Sequence, residues 1–326
     1  MNVRWLWLRR GLVGLAAAVA LLSVTPGAPP AGCSPEPVRY RDRVFATADV
    51  TKDLVYRPAG FDGGTTPLEL DVYEPHGDLA SARPVVVWMH GYGAASSDKA
   101  SPLDVEIITR FVFHGAVVVS FNYRVDGSQT DAQLGEDPNA AVAWVRAHAA
   151  EYRIDVDRIA FAGISAGAYR TMHAAYDGDI AAGEPAAESR VRAVLSFSGT
   201  GPTDTIQAGE PPLFMAHGKL DVNAPYANAV ATCEAAKAAG VPCEFHAYAD
   251  ADHFGLFRYA DELEVLASRW LYDALDLANA QNPPLPTTTT TTRPPTTSST
   301  STTTVSTDHN APPPADPVDG AADYAG

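Results

Sequence analysis

Five short apolar runs, separated by stretches of helical periodicity, constrain what this chain can fold into more than any other feature. Val85–Met89, Val117–Phe121, Ile159–Ala162, Ala193–Phe197 and Leu213–Ala216 are apolar on successive positions but for Ser120 and Ser196, as suits strands buried on both faces. Leu103–His114, Pro138–Ala149 and Ser165–Ala175 lie between them, and Tyr226–Ala239 and Asp261–Asn279 follow. All five carry apolar residues three and four apart, which gives a helix one buried stripe. Alternation of this kind predicts an α/β fold: a mostly parallel twisted sheet with helices on both faces, because parallel neighbours need a crossover between them. Ahead of these runs, Leu68–Tyr73 alternates strictly and follows Asp62-Gly63-Gly64, so an antiparallel hairpin is expected at the sheet edge.

Both ends are foreign to such a core, and the organisation reads as a leader over 1–32, one domain over 33–282 and a tail over 283–326. Arg4, Arg9 and Arg10 precede the apolar run Leu12–Val24, and Pro and small residues follow, the layout of a secretion signal. The run is shorter than the ~20 residues of a spanning helix. Trp5, Leu6, Trp7 and Leu8 extend the apolar stretch and leave an uncleaved anchor as the alternative; export is expected either way, to a secreted or surface-attached location. Between Pro283 and Ser306, 21 of 24 residues are Thr, Ser or Pro, too little apolar surface to offset the entropy of ordering, so a disordered tail is expected. It reads equally as a wall-associated spacer or as a linker without its second domain.

The formal charge of the chain is −16, and loss of the leader's arginines makes the remainder more acidic still. Such a field repels nucleic acid and anionic lipid, so neither is an expected partner. Of three cysteines, Cys233 lies in a helical run and Cys243 opens the next alternating run after the turn Gly240-Val241-Pro242. An oxidising compartment should join them. Cys33 is left over. With Ala31-Gly32 before it, it resembles the lipid-attachment box of bacterial lipoproteins, with Pro30 where that box has leucine; a lipid tether to a membrane and a spare thiol both stand.

The chemistry centres on Gly163-Ile164-Ser165-Ala166-Gly167, which follows the strand Ile159–Ala162 and opens a helical run. This is the form of a nucleophile elbow, in which a strained strand-to-helix turn projects its serine. A serine hydroxyl needs a base, and the base needs an acid to hold its tautomer. Asp221 follows the strand Leu213–Ala216 through His217-Gly218-Lys219-Leu220, and His253 follows the run Cys243–Tyr248. Ser165, Asp221 and His253 therefore occur in the chain order of elbow hydrolases, each on a loop after a strand. His246 is the rival base, and Asp250 and Asp252 are rival acids. An oxyanion also needs fixed donors. His90-Gly91-Tyr92-Gly93 directly follows the strand Val85–Met89, and the backbone N–H groups of Tyr92, Gly93 and Ala166 are the expected set, with His90 bracing the loop. No HExxH helix, cysteine–histidine cluster or phosphate-binding glycine loop is present, so no metal or cofactor is implied.

From about Leu68 to Asp276 the chain resembles the α/β-hydrolase superfamily, nearest to secreted bacterial carboxylesterases of the hormone-sensitive-lipase and feruloyl or acetyl-xylan esterase type. Leu70-Asp71-Val72-Tyr73-Glu74-Pro75, His90–Gly93, Asn122-Tyr123-Arg124, Asp137–Trp144, Arg158-Ile159 and Gly163–Gly167 carry the resemblance. Ile164 stands where the family has Asp or Glu, and Ala168 where it has a further glycine. The resemblance implies hydrolysis of a carboxylic ester through an acyl-enzyme. The short interval from Phe197 to Leu213 leaves no room for a helical lid, so small or polymer-borne esters are expected as substrates. Acyl transfer by the same triad, or a silent surface module, are the alternatives.

Overall fold

Eight strands pair into one sheet because the apolar runs can bury both faces only between two layers of helix. The computed structural model describes residues 36–60, 66–93, 97–125, 134–177 and 190–280. The leader, Cys33, the hairpin turn Asp62–Gly64 and the Thr/Ser/Pro-rich tail lie outside the described residues, and element labels refer to the described ones alone. The strands are β1 (Ala48–Arg57), β2 (Leu68–Pro75), β3 (Arg83–Met89), β4 (Val117–Phe121), β5 (Ile154–Ile164), β6 (Ala193–Phe197), β7 (Leu213–Gly218) and β8 (Cys243–Tyr248). The helices are α1 (Pro102–Phe113), α2 (Glu136–Ala147), α3 (Ala166–Tyr176), α4 (Tyr226–Ala238) and α5 (Ala260–Ala274).

The order across the sheet is β1-β2-β4-β3-β5-β6-β7-β8. β1 and β2 form the expected antiparallel edge hairpin, β2 meets β4 antiparallel, and every pairing from β4 to β8 is parallel. Alternate residues of one strand feed the two cores. Val85, Val87 and Met89 of β3 pack with Val142 of α2, Met172 of α3 and Ala229 of α4, while Val86 and Trp88 face Ile108 of α1 and Leu271 of α5. Trp88 buries its indole fully and donates Nε1–H to Asp104 Oδ1 at 2.7 Å, so the polar end of the largest core side chain is satisfied.

Three expected boundaries shift for local reasons. β5 begins at Ile154, five residues before its apolar run, because its first half is only partly covered. α5 stops at Ala274, since Asp276 turns left-handed at φ 52° and the chain continues as a short 3-10 turn at Leu277–Asn279. β7 extends to Gly218, which carries the strand to the brink of the loop that follows.

After β4 the chain crosses β3 to form β5, so the strand order reverses on either side of β3. Open α/β sheets form their binding crevice at the carboxyl ends of strands at such a reversal. Ser165 and His90–Gly93 both lie there. The connection from β6 to β7, residues 198–212, contains no helix.

Candidate active site

Ser165 sits between β5 and α3 with φ 53° and ψ −122°, a conformation costly for a residue with a Cβ. Its N–H donates to Phe197 O of β6 at 2.9 Å, and its carbonyl accepts from Tyr169 N at 3.0 Å, so the turn is tied down on both sides. Gly167 explains the rest of the elbow. A Cβ there would stand 2.2 Å from Met89 O and 2.3 Å from His90 O, so only glycine lets α3 start hard against the end of β3. That contact sets the nucleophile beside the His90–Gly93 loop.

His253 Nε2 lies 2.8 Å from Ser165 Oγ, and His253 Nδ1–H donates to Asp221 Oδ2 at 2.7 Å. The carboxylate can only accept, which places the proton on Nδ1 and leaves Nε2 as the acceptor for the serine hydroxyl. His253 is held from behind as well: Ser198 Oγ–H donates to its carbonyl at 2.9 Å. The acid and base loops touch through their main chains, since a Cβ on Gly218 would come within 2.3 Å of Ala251 O. Histidine and aspartate, remote in sequence, thus meet because β7 and β8 are parallel neighbours whose loops abut.

Asp221 is buried and well supplied with donors. Oδ1 accepts from Asn223 N and Ala224 N, both at 2.9 Å. Oδ2 is shared by His253 Nδ1 and by His217 Nε2, the latter 3.2 Å away. Burial alone would raise the carboxyl's pKa, but the hydrogen bonds from His217, His253 and Ala224 outweigh it and hold the group far below the ordinary aspartate range. His217 escaped the sequence reading. Its position four residues before the acid is a helical neighbour spacing, yet here a strand end and a tight turn bring the pair together.

The rivals are engaged elsewhere. His246 Nε2 lies 2.6 Å from Glu244 Oε1 on the β8 edge. Asp252 Oδ1 caps Gly255 N at 2.6 Å, and Asp250 accepts from the Tyr259 hydroxyl.

The loop after β3 is braced as expected of His90. Its ring is buried against Tyr123, centroids 4.6 Å apart, and its Nδ1 lies 2.6 Å from Gly91 O; burial pushes its pKa down. The Tyr123 hydroxyl donates toward His90 O and Gly91 O at 3.1 and 3.2 Å. Arg170 of α3 covers the other ring at 5.1 Å. Arg124 in turn pairs with Asp137 at the start of α2 at 3.0 Å. One expectation needs correcting: the Gly93 N–H is not free for an oxyanion, because it donates to Ser97 Oγ at 3.1 Å in a backbone with φ 132°. Tyr92 N–H and Ala166 N–H remain as candidate donors, the latter among the first-turn groups that lack an intrahelical partner. The Tyr92 side chain is 53% exposed, so it stands at the mouth of the site. Among the described residues no cluster of three or more His, Cys, Asp or Glu is arranged to hold a metal.

Away from the triad, Cys233 of α4 and Cys243 of β8 are joined in a disulfide with Cα atoms 5.7 Å apart.

Comparison with known proteins agrees with this fold. A family model described as BD-FAE matches residues 70–205, and the prolyl oligopeptidase family model matches residues 193–275. Esterase LipQ of Mycobacterium tuberculosis (strain ATCC 25618 / H37Rv) is 27% identical over 58% of this chain and 53% of its own. Esterase LipI of the same organism is 34% identical over 40% and 41%. The chain thus spans about half the length of the curated relatives it matches. Thermogutta terrifontis esterase 2, in its form phosphoramylated by tabun, superposes with a TM-score of 0.58 at 26% identity, covering 69% of this chain and 94% of that one. Its propionate-bound form gives 0.56 at 25% identity, over 71% and 94%. The fold and the linked Ser–His–Asp side chains define an α/β-hydrolase. Within that superfamily the chain is similar to carboxylesterases of the hormone-sensitive-lipase-like type, each match covering part of its length.

Proposed function

We propose that this protein hydrolyses carboxylic esters through an acyl-enzyme on Ser165. The observation that carries the reading is the unbroken path from Asp221 through His253 to Ser165 Oγ, with links of 2.7 and 2.8 Å. As Oγ attacks the ester carbonyl, its proton passes to His253 Nε2, and the negative oxygen meets the N–H groups of Tyr92 and Ala166. The tetrahedral adduct then expels the alcohol, which takes the proton from His253. A water molecule gives its proton to the same nitrogen, attacks the acyl carbonyl, and releases the acid with Ser165 restored. Asp221 stays ionised throughout, which its donors favour.

Short acyl groups, on small or polymer-borne alcohols, are the substrate class we favour. The helix-free β6–β7 connection supports an open site. So does the likeness to an esterase whose structures hold propionate and butyrate. Export, with the Cys233–Cys243 bridge as a fitting ornament of an oxidising compartment, completes the reading. Initial rates on p-nitrophenyl acetate, butyrate and longer esters, for wild type and Ser165→Ala, test it. Rates should fall with acyl length, and the variant should lose at least about 1,000-fold; equal turnover by both proteins would overturn the proposal.

A further inference from the structure

His217 is fully buried at the end of β7. Its Nε2 lies 2.8 Å from Ala224 O and 3.2 Å from Asp221 Oδ2, two groups that only accept. Nε2 must therefore carry the ring proton. Nδ1 is buried with no partner, so nothing is provided there for a second proton. Tyr226 of α4 packs on the ring with centroids 6.2 Å apart. The result is a fixed donor spanning the turn Asp221–Ala224, whose own N–H groups already clamp the other carboxylate oxygen.

We infer that His217 is a positioning residue for the acid of the triad, using one N–H to fix the turn and to load Asp221 Oδ2 with a second imidazole. This rests on the triad reading above. The ionisable groups facing Asp221 are His217 and His253, and Tyr226 faces His217 from α4; no other charged side chain touches the pair among the described residues. A carboxylate loaded from two sides turns its remaining lone pair toward His253 Nδ1 and cannot swing away when Ser165 reacts. It is also less basic toward His253, because part of its charge is spent on His217. Removing the second donor should therefore do two things at once. It loosens the alignment, lowering kcat without weakening substrate binding, and it strengthens the Asp221–imidazolium attraction, so that His253 holds its proton to higher pH.

The test uses the full protein with p-nitrophenyl acetate. His217→Leu should lower kcat about 10- to 100-fold, the range for one hydrogen bond to a charged group. KM should stay within about two-fold, and the acid limb of the kcat/KM–pH profile should move to higher pH. His217→Gln, whose amide N–H reaches the Nε2 position, should recover most of both, whereas His217→Asn, one methylene short, should not. The downfield proton resonance of the His253–Asp221 hydrogen bond should shift in the Leu and Asn variants and return in Gln. A folded His217→Leu or His217→Asn variant with wild-type kcat and an unmoved acid limb would overturn the inference. Should the Leu variant fail to fold, the Gln–Asn pair decides alone: equal profiles in those two refute it. Ser165→Ala separates this result from the larger reading. A dead Ser165→Ala beside a normal His217 variant refutes only the positioning role, whereas an active Ser165→Ala refutes the triad.

Discussion

Two buried carboxylates flank the same strand and behave in opposite ways. Glu210 lies three residues before β7 and is 6% exposed; Asp221 lies three residues after it and is 4% exposed. Asp221 gathers two backbone N–H groups and two imidazoles, and its pKa falls well below that of a free aspartate. Glu210 has one donor, the Gln207 N–H at 2.8 Å, while its other oxygen is buried without a partner. Burial, aided by the nearby Asp177 charge, pushes it up to about 7. Equal burial with opposite outcomes shows that donor supply, not depth, decides the charge. It also separates the two ends of the sheet by task. The carboxyl end keeps an anion ready for chemistry, and the amino end, where Glu210 lines a cleft of about 280 Å³ with Arg190 and Arg192, carries a carboxyl that titrates near neutrality.

The contrast breaks most visibly in turnover. Asp221→Asn should lower kcat about 1,000- to 10,000-fold, because an amide can present a donor to Nδ1 and hold the wrong imidazole tautomer. Glu210→Gln should leave kcat and KM within two-fold; a comparable loss from both, measured on p-nitrophenyl acetate, would erase the distinction between the two ends. The next effect is on stability alone. Replacing both Cys233 and Cys243 by serine opens a loop of ten residues and should cost about 2–3 kcal/mol in urea unfolding, with kcat/KM unchanged. A matching fall in kcat/KM would mean that the bridge, rather than the loops, aligns His253.

Smaller again is Gly218→Ala, which forces Ala251 O away and should cost about 1–3 kcal/mol while lowering kcat. The smallest effect concerns pH. A glutamate whose folded pKa is raised gives its full stability below its unfolded pKa and loses it as pH rises through about 7. Glu210→Gln should thus raise Tm by about 2–6 °C at pH 8 and leave it unchanged near pH 4. Asp221 has the opposite sign: its contribution is complete above the ordinary aspartate range and fades as pH falls below it, so Asp221→Asn should flatten the acid side of the stability profile.

Much of the molecule can be read from its residues, because a strand buried on both faces leaves an apolar signature that no loop shares. β3, β4 and β6 emerge with their observed cores, and the elbow with its following helix announces Ser165. The chain order then points to Asp221 and His253. Where reading stops, geometry has intervened. Asp155 and Asp157 hide the first half of β5, since that part lies at the less covered end of the strand. No glycine marks the end of α5, because Asp276 itself takes the left-handed turn. The Gly93–Ser97 bond and the His217–Asp221 contact depend on loop paths that no period in the sequence encodes.

The Gly218–Ala251 abutment reaches further than one site. Neither the loop after β7 nor the loop after β8 can lengthen without displacing the other, and Gly167 imposes a like restriction at the end of β3. Descendants of this chain that acquire new ester preferences must therefore change the loops after β7 and β8 together, since neither can move alone.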